Sequence, residues 1–490
     1  MNNLLYSLKE ETNFGHTENG AVKHNTSMSA LLDLFAMGAS MRNRSDEDCI
    51  LMFKKAYDEN PEYALKCLFY IRDVRGGAGE RRFFRVCYKW LADYDKIAAE
   101  RNLKYLAEYG RWDDFYCLVG TCLEKQAFEI LKNQFFLDLT CETPSLVGKW
   151  LPSCNASSSK TRQLGQLTRR YFGLAERQYR KALSALRAKL NVVERLMSEN
   201  RWTEIKFDQI PSKAGLIYKN AFARRDIIRE KYKAFAEDEN TAVNAETLYP
   251  YEVVEKAIQW YYTSPDYTDR AMINKYWDNL TDYFNGQSLN ALCVCDTSGS
   301  MSGLPIQVAI SLSLYCAERA KGPFANHYIS FSRQARLIEC DGTDFVDKVF
   351  RIENANLCEN TNIESVFDLL LNTAKKNHLS QEDLPKNIII LSDMEFDRAR
   401  GYGYYYQPQN SAETLLESIA RKWEMNGYEM PHLIFWNVDA RTNNIPALGH
   451  GRISFVSGFS PFIFQTILSG KSGYALMMEA LNNPRYSVIH

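Results

Sequence analysis

Residues 289–295 form a largely apolar run that stops abruptly at Asp296, and Thr297-Ser298-Gly299-Ser300-Met301-Ser302-Gly303 follows. A short apolar run bounded by a turn reads as a central strand of a parallel sheet, buried on both faces. Parallel strands need crossover connections, usually helical, so this one segment commits the chain around it to an α/β layer arrangement. Chain direction then places Asp296, Ser298 and Ser300 beyond the carboxyl end of the strand, where open α/β sheets bind their ligands. A carboxylate and two hydroxyls there are hard oxygen donors, suited to Mg²⁺ and not to a soft metal.

From residue 286 to 490 strands alternate with helices. Strand patterns at 326–331, 335–340, 387–391, 432–438 and 453–457 are interleaved with helical ones at 304–320, 345–350, 363–371, 412–423 and 462–468, which predicts a doubly wound α/β domain. Two further oxygen donors fall at the same sheet edge. Asp393 lies just past the strand at 387–391, and Thr361 lies in the loop entering the helix at Ile363. Asp296, Ser298, Ser300, Thr361 and Asp393 are therefore candidate ligands for Mg²⁺ or another divalent cation, with a position left open for an outside group. Glu395 reads either as a residue tuning that site or as an exposed loop residue.

Residues 28–285 carry a helical signal almost throughout, and residues 1–27 read as a polar N-terminal segment. Pro61 opens one helix, as proline favours the first turn. Others are expected at 83–91 and 97–109, with Asp113 capping a segment at 115–119. Short helices joined by tight corners suggest stacked hairpins in an all-α helical-repeat domain. The cluster Gly76-Gly77-Ala78-Gly79 sits between arginines, but it lacks both the Lys-Ser/Thr closure and the preceding strand of a phosphate loop. It reads as a helix–helix connection, or else as an anion site flanked by the arginines.

The formal net charge is -1, so any attraction for nucleic acid has to be local. Such a locality exists. Between Lys160 and Arg201 there are eleven Lys and Arg against three acids. Within it, Leu183, Leu186, Leu190, Val193 and Met197 share one helical stripe, with Arg177, Arg180, Lys181 and Arg195 around the other side. A second basic run contains Arg224 and Arg225, interleaved with Tyr218, Phe222 and Tyr232. Cations beside aromatics suit phosphate contacts and stacking on unpaired bases. The candidate RNA contacts are Arg169, Arg170, Arg177, Arg180, Lys181, Arg187, Arg224 and Arg225; the alternative is a solvated or inter-domain face.

Twelve cysteines without Cys-x-x-Cys spacing point to a reducing cytoplasm. No secretory pattern and no apolar run of about 18 residues occurs, so no membrane segment is expected. None of the seven histidines neighbours an evident nucleophile, and Cys293 and Cys295 read as core, so no catalytic residue is assigned.

Asp296-Thr297-Ser298-Gly299-Ser300, with Thr361 and Asp393, resembles the metal-ion-dependent adhesion site of von Willebrand factor A domains. That resemblance implies a Rossmann-like fold and a cation completed by an acidic group from a partner. The helical half resembles the HEAT-like TROVE module of Ro-type RNA-binding proteins, through Thr17-Glu18-Asn19-Gly20, the Gly-Gly-x-Gly-Glu element ending at Glu80, and Gly110 to Asp114. The full length is similar to domain-of-unknown-function family 2828, through Lys149-Trp150-Leu151-Pro152, Leu248-Tyr249-Pro250 and Phe435-Trp436-Asn437-Val438. The resemblance implies an RNA-binding protein that takes small or misfolded RNA. The alternative is an RNA-independent adaptor gripping an acidic residue of a protein partner through the metal.

Overall fold

The computed structural model describes residues 4, 8–9, 12–190, 193–263, 267–331, 334–355, 361–397, 415–446, 448 and 452–490. The expected helix start at 412–414, the loop at 356–360 and residues 191–192 lie outside that set. The chain is α + α/β, with helices over its first half and a mixed six-stranded sheet in its second.

In the helical half, local chemistry sets the first helix starts. Ser45 caps helix Asp46–Glu59 by accepting from the Asp48 amide, and Asn60 caps Pro61–Arg72 in the same way. Helices Arg82–Tyr94, Glu124–Thr140, Ser159–Phe172, Glu176–Lys189, Ser212–Arg224, Asp226–Glu237, Pro250–Thr263 and Tyr267–Asp278 continue the half. Three expectations need correction. The helix expected at 97–109 is two helices, Lys96–Asn102 and Leu106–Tyr109, joined by a 3-10 turn. Asp113 is not a helix cap; its carboxylate pairs with Arg85 and Arg111. The stripe from Leu183 to Met197 does not lie on one helix, because Glu176–Lys189 ends at Leu190 and Val193–Ser198 begins anew.

The loop after Pro61–Arg72 is a connection, and the arginines at its start are held by protein acceptors. Arg72 donates to Asp114 at 2.7 and 2.9 Å, and Arg75 donates to the Glu108 carbonyl at 2.6 Å. Gly79 holds φ +71, and a Cβ there would overlap the Tyr249 hydroxyl. Only glycine fits both demands.

The sheet runs β5-β4-β3-β6-β7-β8, with β3 Ala291–Cys295, β4 His327–Ser330, β5 Arg336–Glu339, β6 Asn387–Ser392, β7 His432–Asn437 and β8 Ile453–Ser457. All neighbours are parallel except β4 and β5, the hairpin at one edge. The chain leaves β3 toward β4 on one side and returns to β6 on the other. The crevice at the carboxyl ends of β3 and β6 is thus the topological switch point, where ligands of such sheets bind.

The helical half meets the α/β half at both of its ends. Near its start, the Ser457 hydroxyl at the end of β8 donates to the Phe35 carbonyl of helix Ala30–Met37 at 2.9 Å. Near its finish, the Trp277 indole donates to Glu318 at 2.6 Å and stacks on Phe345. The C-terminus crosses back as well. Arg485 pairs with buried Asp73, the Tyr486 hydroxyl donates to the Gly76 carbonyl at 2.7 Å, and Asn102 donates to the His490 carbonyl at 2.7 Å. The N-terminal segment is a hairpin of β1 Phe14–His16 and β2 Val22–His24, seated on the α/β half. Among the described residues, no helix is long and apolar enough to cross a membrane.

Candidate functional site

The register between β3 and β6 builds the first site. Cys295 pairs with Leu391, so the next residues, Asp296 and Ser392, stand side by side. The Ser392 hydroxyl donates to Asp296 Oδ2 at 2.5 Å, and the Ser298 amide donates to Asp296 Oδ1 at 3.0 Å. Ser298 and Ser300 share a hydroxyl–hydroxyl hydrogen bond of 3.0 Å. Asp393 follows Ser392, in a turn where Met394 holds φ +67, a conformation that costs a non-glycine residue energy and tends to be retained at functional sites. The Asp397 amide, in the same loop, donates to the Thr361 carbonyl at 3.0 Å. The edge therefore brings together Asp296, Ser298, Ser300 and Asp393, with Thr361 tied to the adjoining loop.

Asp296, Thr361 and Asp393 are all buried. Burial, together with the charge of Asp393, pushes the Asp296 carboxyl up to about 6, against the hydrogen bonds from Ser392 and Ser298. The Thr361 hydroxyl is buried and has no hydrogen-bond partner among the described residues. Two adjacent buried carboxylates that repel each other, beside an unspent hydroxyl, fit a hard divalent cation. Among the described residues no three His, Cys, Asp or Glu side chains are grouped so as to hold a metal, so a cation here would depend on the hydroxyls of Ser298, Ser300 and Thr361 as well as on the two aspartates. Such a cation would supply positive charge and an open position for an oxygen ligand.

Three residues at this edge have roles that the sequence did not reveal. Arg441, beyond β7, donates to Asp393 Oδ2 at 2.8 Å and meets Glu18 Oε2 at 3.1 Å. Glu395 is neither exposed nor free. It is buried, and it accepts from the Glu18 amide at 2.7 Å and from the Thr442 hydroxyl at 2.7 Å. Position just past a strand's carboxyl end was a usable signal for Arg441, whereas nothing local in the sequence marks Glu18.

The second site is a cavity of about 1010 Å³ between the Glu176–Lys189 and Val193–Ser198 helices, lined by Arg177, Arg180, Lys181, Arg187 and Arg195 with Glu176, Glu194 and Glu199. Arg177, Arg180 and Lys181 are exposed and carry no ion pair among the described residues. Arg195 is paired with Glu199 at 2.7 Å. Arg187 is spent on the fold: it donates to the Gly148 and Leu151 carbonyls and to the Ser153 hydroxyl, and burial lowers its pKa. Arg169 reaches the Leu174 carbonyl at the end of its own helix, and Arg225 lies over the Trp202 ring. Arg170 and Arg224 are exposed. The expected aromatic platform is corrected for two of its three rings, because Phe222 and Tyr232 are buried and pack against each other and against Phe207, whereas Tyr218 is half-buried.

The family described as domain of unknown function (DUF2828) matches residues 17–145 and 147–287, just over half of the chain. The chain belongs to this family. A second description, domain of unknown function (DUF7788), matches residues 290–482, which cover the sheet. The DUF2828 match begins at Thr17 and so takes in the turn of the hairpin that reaches Glu395. A similar protein is "Uncharacterized protein L728" of Acanthamoeba polyphaga mimivirus, 29% identical over 510 residues, spanning 94% of this chain and 85% of the viral protein.

Proposed function

We propose that this DUF2828 chain is an RNA-binding protein whose helical half grips the phosphate backbone, TROVE-like, while its α/β half works as a von Willebrand A-like, cation-dependent ligand site. The observation that carries the reading is the cavity of about 1010 Å³ with Arg177, Arg180 and Lys181 free on its wall. Unpaired cations on a concave surface in a chain of net charge -1 concentrate positive potential where a polyanion can sit. The cavity lining contains no aromatic residue, so the surface reads backbone charge and discriminates little among bases. Structured or misfolded small RNA with a single-stranded end is the matching ligand class.

The test is fluorescence anisotropy with a single-stranded RNA at several salt concentrations. Arg177→Glu, Arg180→Glu and Lys181→Glu combined should lower affinity by at least about 100-fold and flatten the salt dependence by about 0.7 log units for each single-strand phosphate left without its cation. All three side chains point to solvent, so the fold should be intact by circular dichroism. A folded triple variant that binds RNA with unchanged affinity would defeat the reading. Arg187 is excluded from this set because its loss would unseat the 148–153 segment.

The Asp296–Asp393 edge favours a second reading, in which a divalent cation there grips a carboxylate from a protein partner. Capture of such a partner should be lost both with EDTA and in Asp296→Ala. Identical pull-downs in the three conditions would sink it.

A further inference from the structure

We propose that Arg441 is the resident counter-ion of the Asp296–Asp393 edge, a guanidinium that a divalent cation has to displace, and that Glu18 of the N-terminal hairpin holds it in place. The inference rests on the cation reading of that edge and assigns its regulation.

The arrangement is an ion bridge between one buried and one exposed carboxylate. Arg441 Nη2 lies 2.8 Å from Asp393 Oδ2, whose side chain is 0% exposed. Arg441 Nη1 lies 3.1 Å from Glu18 Oε2, whose side chain is 51% exposed. Among the described residues, Arg441 is the cation that pairs with Asp393, so the guanidinium supplies the charge a metal would otherwise supply. A divalent cation on the same carboxylate and a guanidinium beside it are like charges in a site poor in water, where repulsion is weakly screened. Each therefore weakens the other's hold on Asp393, and the two compete for it. Arg441 has an outward route, since its side chain is 31% exposed and its buried Nε has no partner among the described residues to tether it.

Glu18 keeps its position without Arg441. Its amide donates to Glu395 Oε2 at 2.7 Å, Asn19 donates to the Glu395 carbonyl at 2.6 Å, and the Thr17 hydroxyl donates to the Phe396 carbonyl at 2.6 Å. The Thr17-Glu18-Asn19 turn is therefore fastened by its backbone and short side chains, leaving the Glu18 carboxylate to act on Arg441. This explains why the hairpin closes on the loop that follows Asp393, and it couples the N-terminus to the cation state of the edge.

Isothermal titration calorimetry of the full chain with Mg²⁺ alone tests the assignment, with the Mg²⁺ dependence of thermal unfolding as a second readout. Arg441→Gln should bind Mg²⁺ at least about tenfold more tightly than the native chain, because it removes the competing charge. Glu18→Gln should shift affinity the same way by a smaller factor. It changes only an exposed carboxylate, so it decides the matter if Arg441→Gln fails to fold. Binding by the variants with none detectable in the native chain also supports the competition. Mg²⁺ binding to the native chain with equal or weaker binding to folded variants would make Arg441 a structural tie and overturn the proposal while leaving the cation site standing. No binding to any of the three overturns the cation site and the proposal with it.

Discussion

Asp114→Ala should destabilise the helical half by about 3–5 kcal/mol, the usual cost of breaking a buried ion pair from one side. The Arg72 side chain is 2% exposed and Asp114 is 0% exposed, so the substitution would strand a guanidinium with neither water nor a counter-charge. Asp114 also accepts from Arg85 at 2.6 Å and from the Arg111 amide at 2.8 Å, and these bonds fix the corner at 110–114. That corner turns the chain from the first helices toward the helices that line the basic cavity, so the RNA affinity proposed for that cavity should fall with stability. Asp114→Asn keeps one acceptor and should fall between the native chain and Asp114→Ala. Urea unfolding followed by hydrogen exchange within 61–118 separates this half from the sheet. A loss under about 1 kcal/mol would mean that Arg72 finds water, and the buried-pair argument would fail.

The sequence was most legible where one segment carried its own evidence. Residues 388–391 are four consecutive aliphatic residues, three of them β-branched, a pattern that suits a buried strand, and β6 runs Asn387–Ser392. Pro61 placed a helix start to the residue, and the structure shows the local bond behind it, the Asn60 side chain accepting from the Tyr63 amide. The carboxylate edge was legible for a related reason: parallel strands all deliver their next residue to the same side, so Asp296 and Asp393 had to meet if β3 and β6 were neighbours.

What remained hidden depends on interactions between distant segments. A stripe at helical spacing from Leu183 to Met197 survives a break at Leu190, since both pieces still bury their apolar side. Periodicity reports burial and is blind to continuity. Phe222 and Tyr232 sit among cations in sequence but opposite them in space, because a helix sends neighbouring residues to different faces. Arg187 and Arg177 looked alike as members of one basic run. One is bound to three acceptors of the 148–153 segment and the other faces the cavity. The pairing of Glu18 with Arg441 joins the two ends of the chain, and no local rule reaches that far.

Asp296→Asn should change stability in opposite directions with and without a cation. In the cation-free chain, Asp296 and Asp393 are neighbouring buried carboxylates, Arg441 pairing with Asp393, and burial and the remaining repulsion raise the Asp296 carboxyl from its ordinary value. Making one of them neutral relieves that repulsion. The amide oxygen can keep the bond from the Ser298 amide, and the Ser392 hydroxyl can turn to accept from the new amide nitrogen. The variant should therefore be more stable than the native chain in EDTA, by about 1–3 kcal/mol. Added Mg²⁺ should stabilise the native chain by about 2.7 kcal/mol at a hundredfold excess over its dissociation constant, and the variant hardly at all, so the order of the two melting temperatures reverses on adding the metal. Thr361→Val is the companion test. It replaces a buried hydroxyl that has no partner among the described residues, so it should leave the cation-free chain as stable or slightly more so, while weakening the Mg²⁺ response. Should Asp296→Asn melt below the native chain in EDTA, the carboxylate would be a structural acceptor for Ser298 and Ser392, and the edge would lose its claim to a cation.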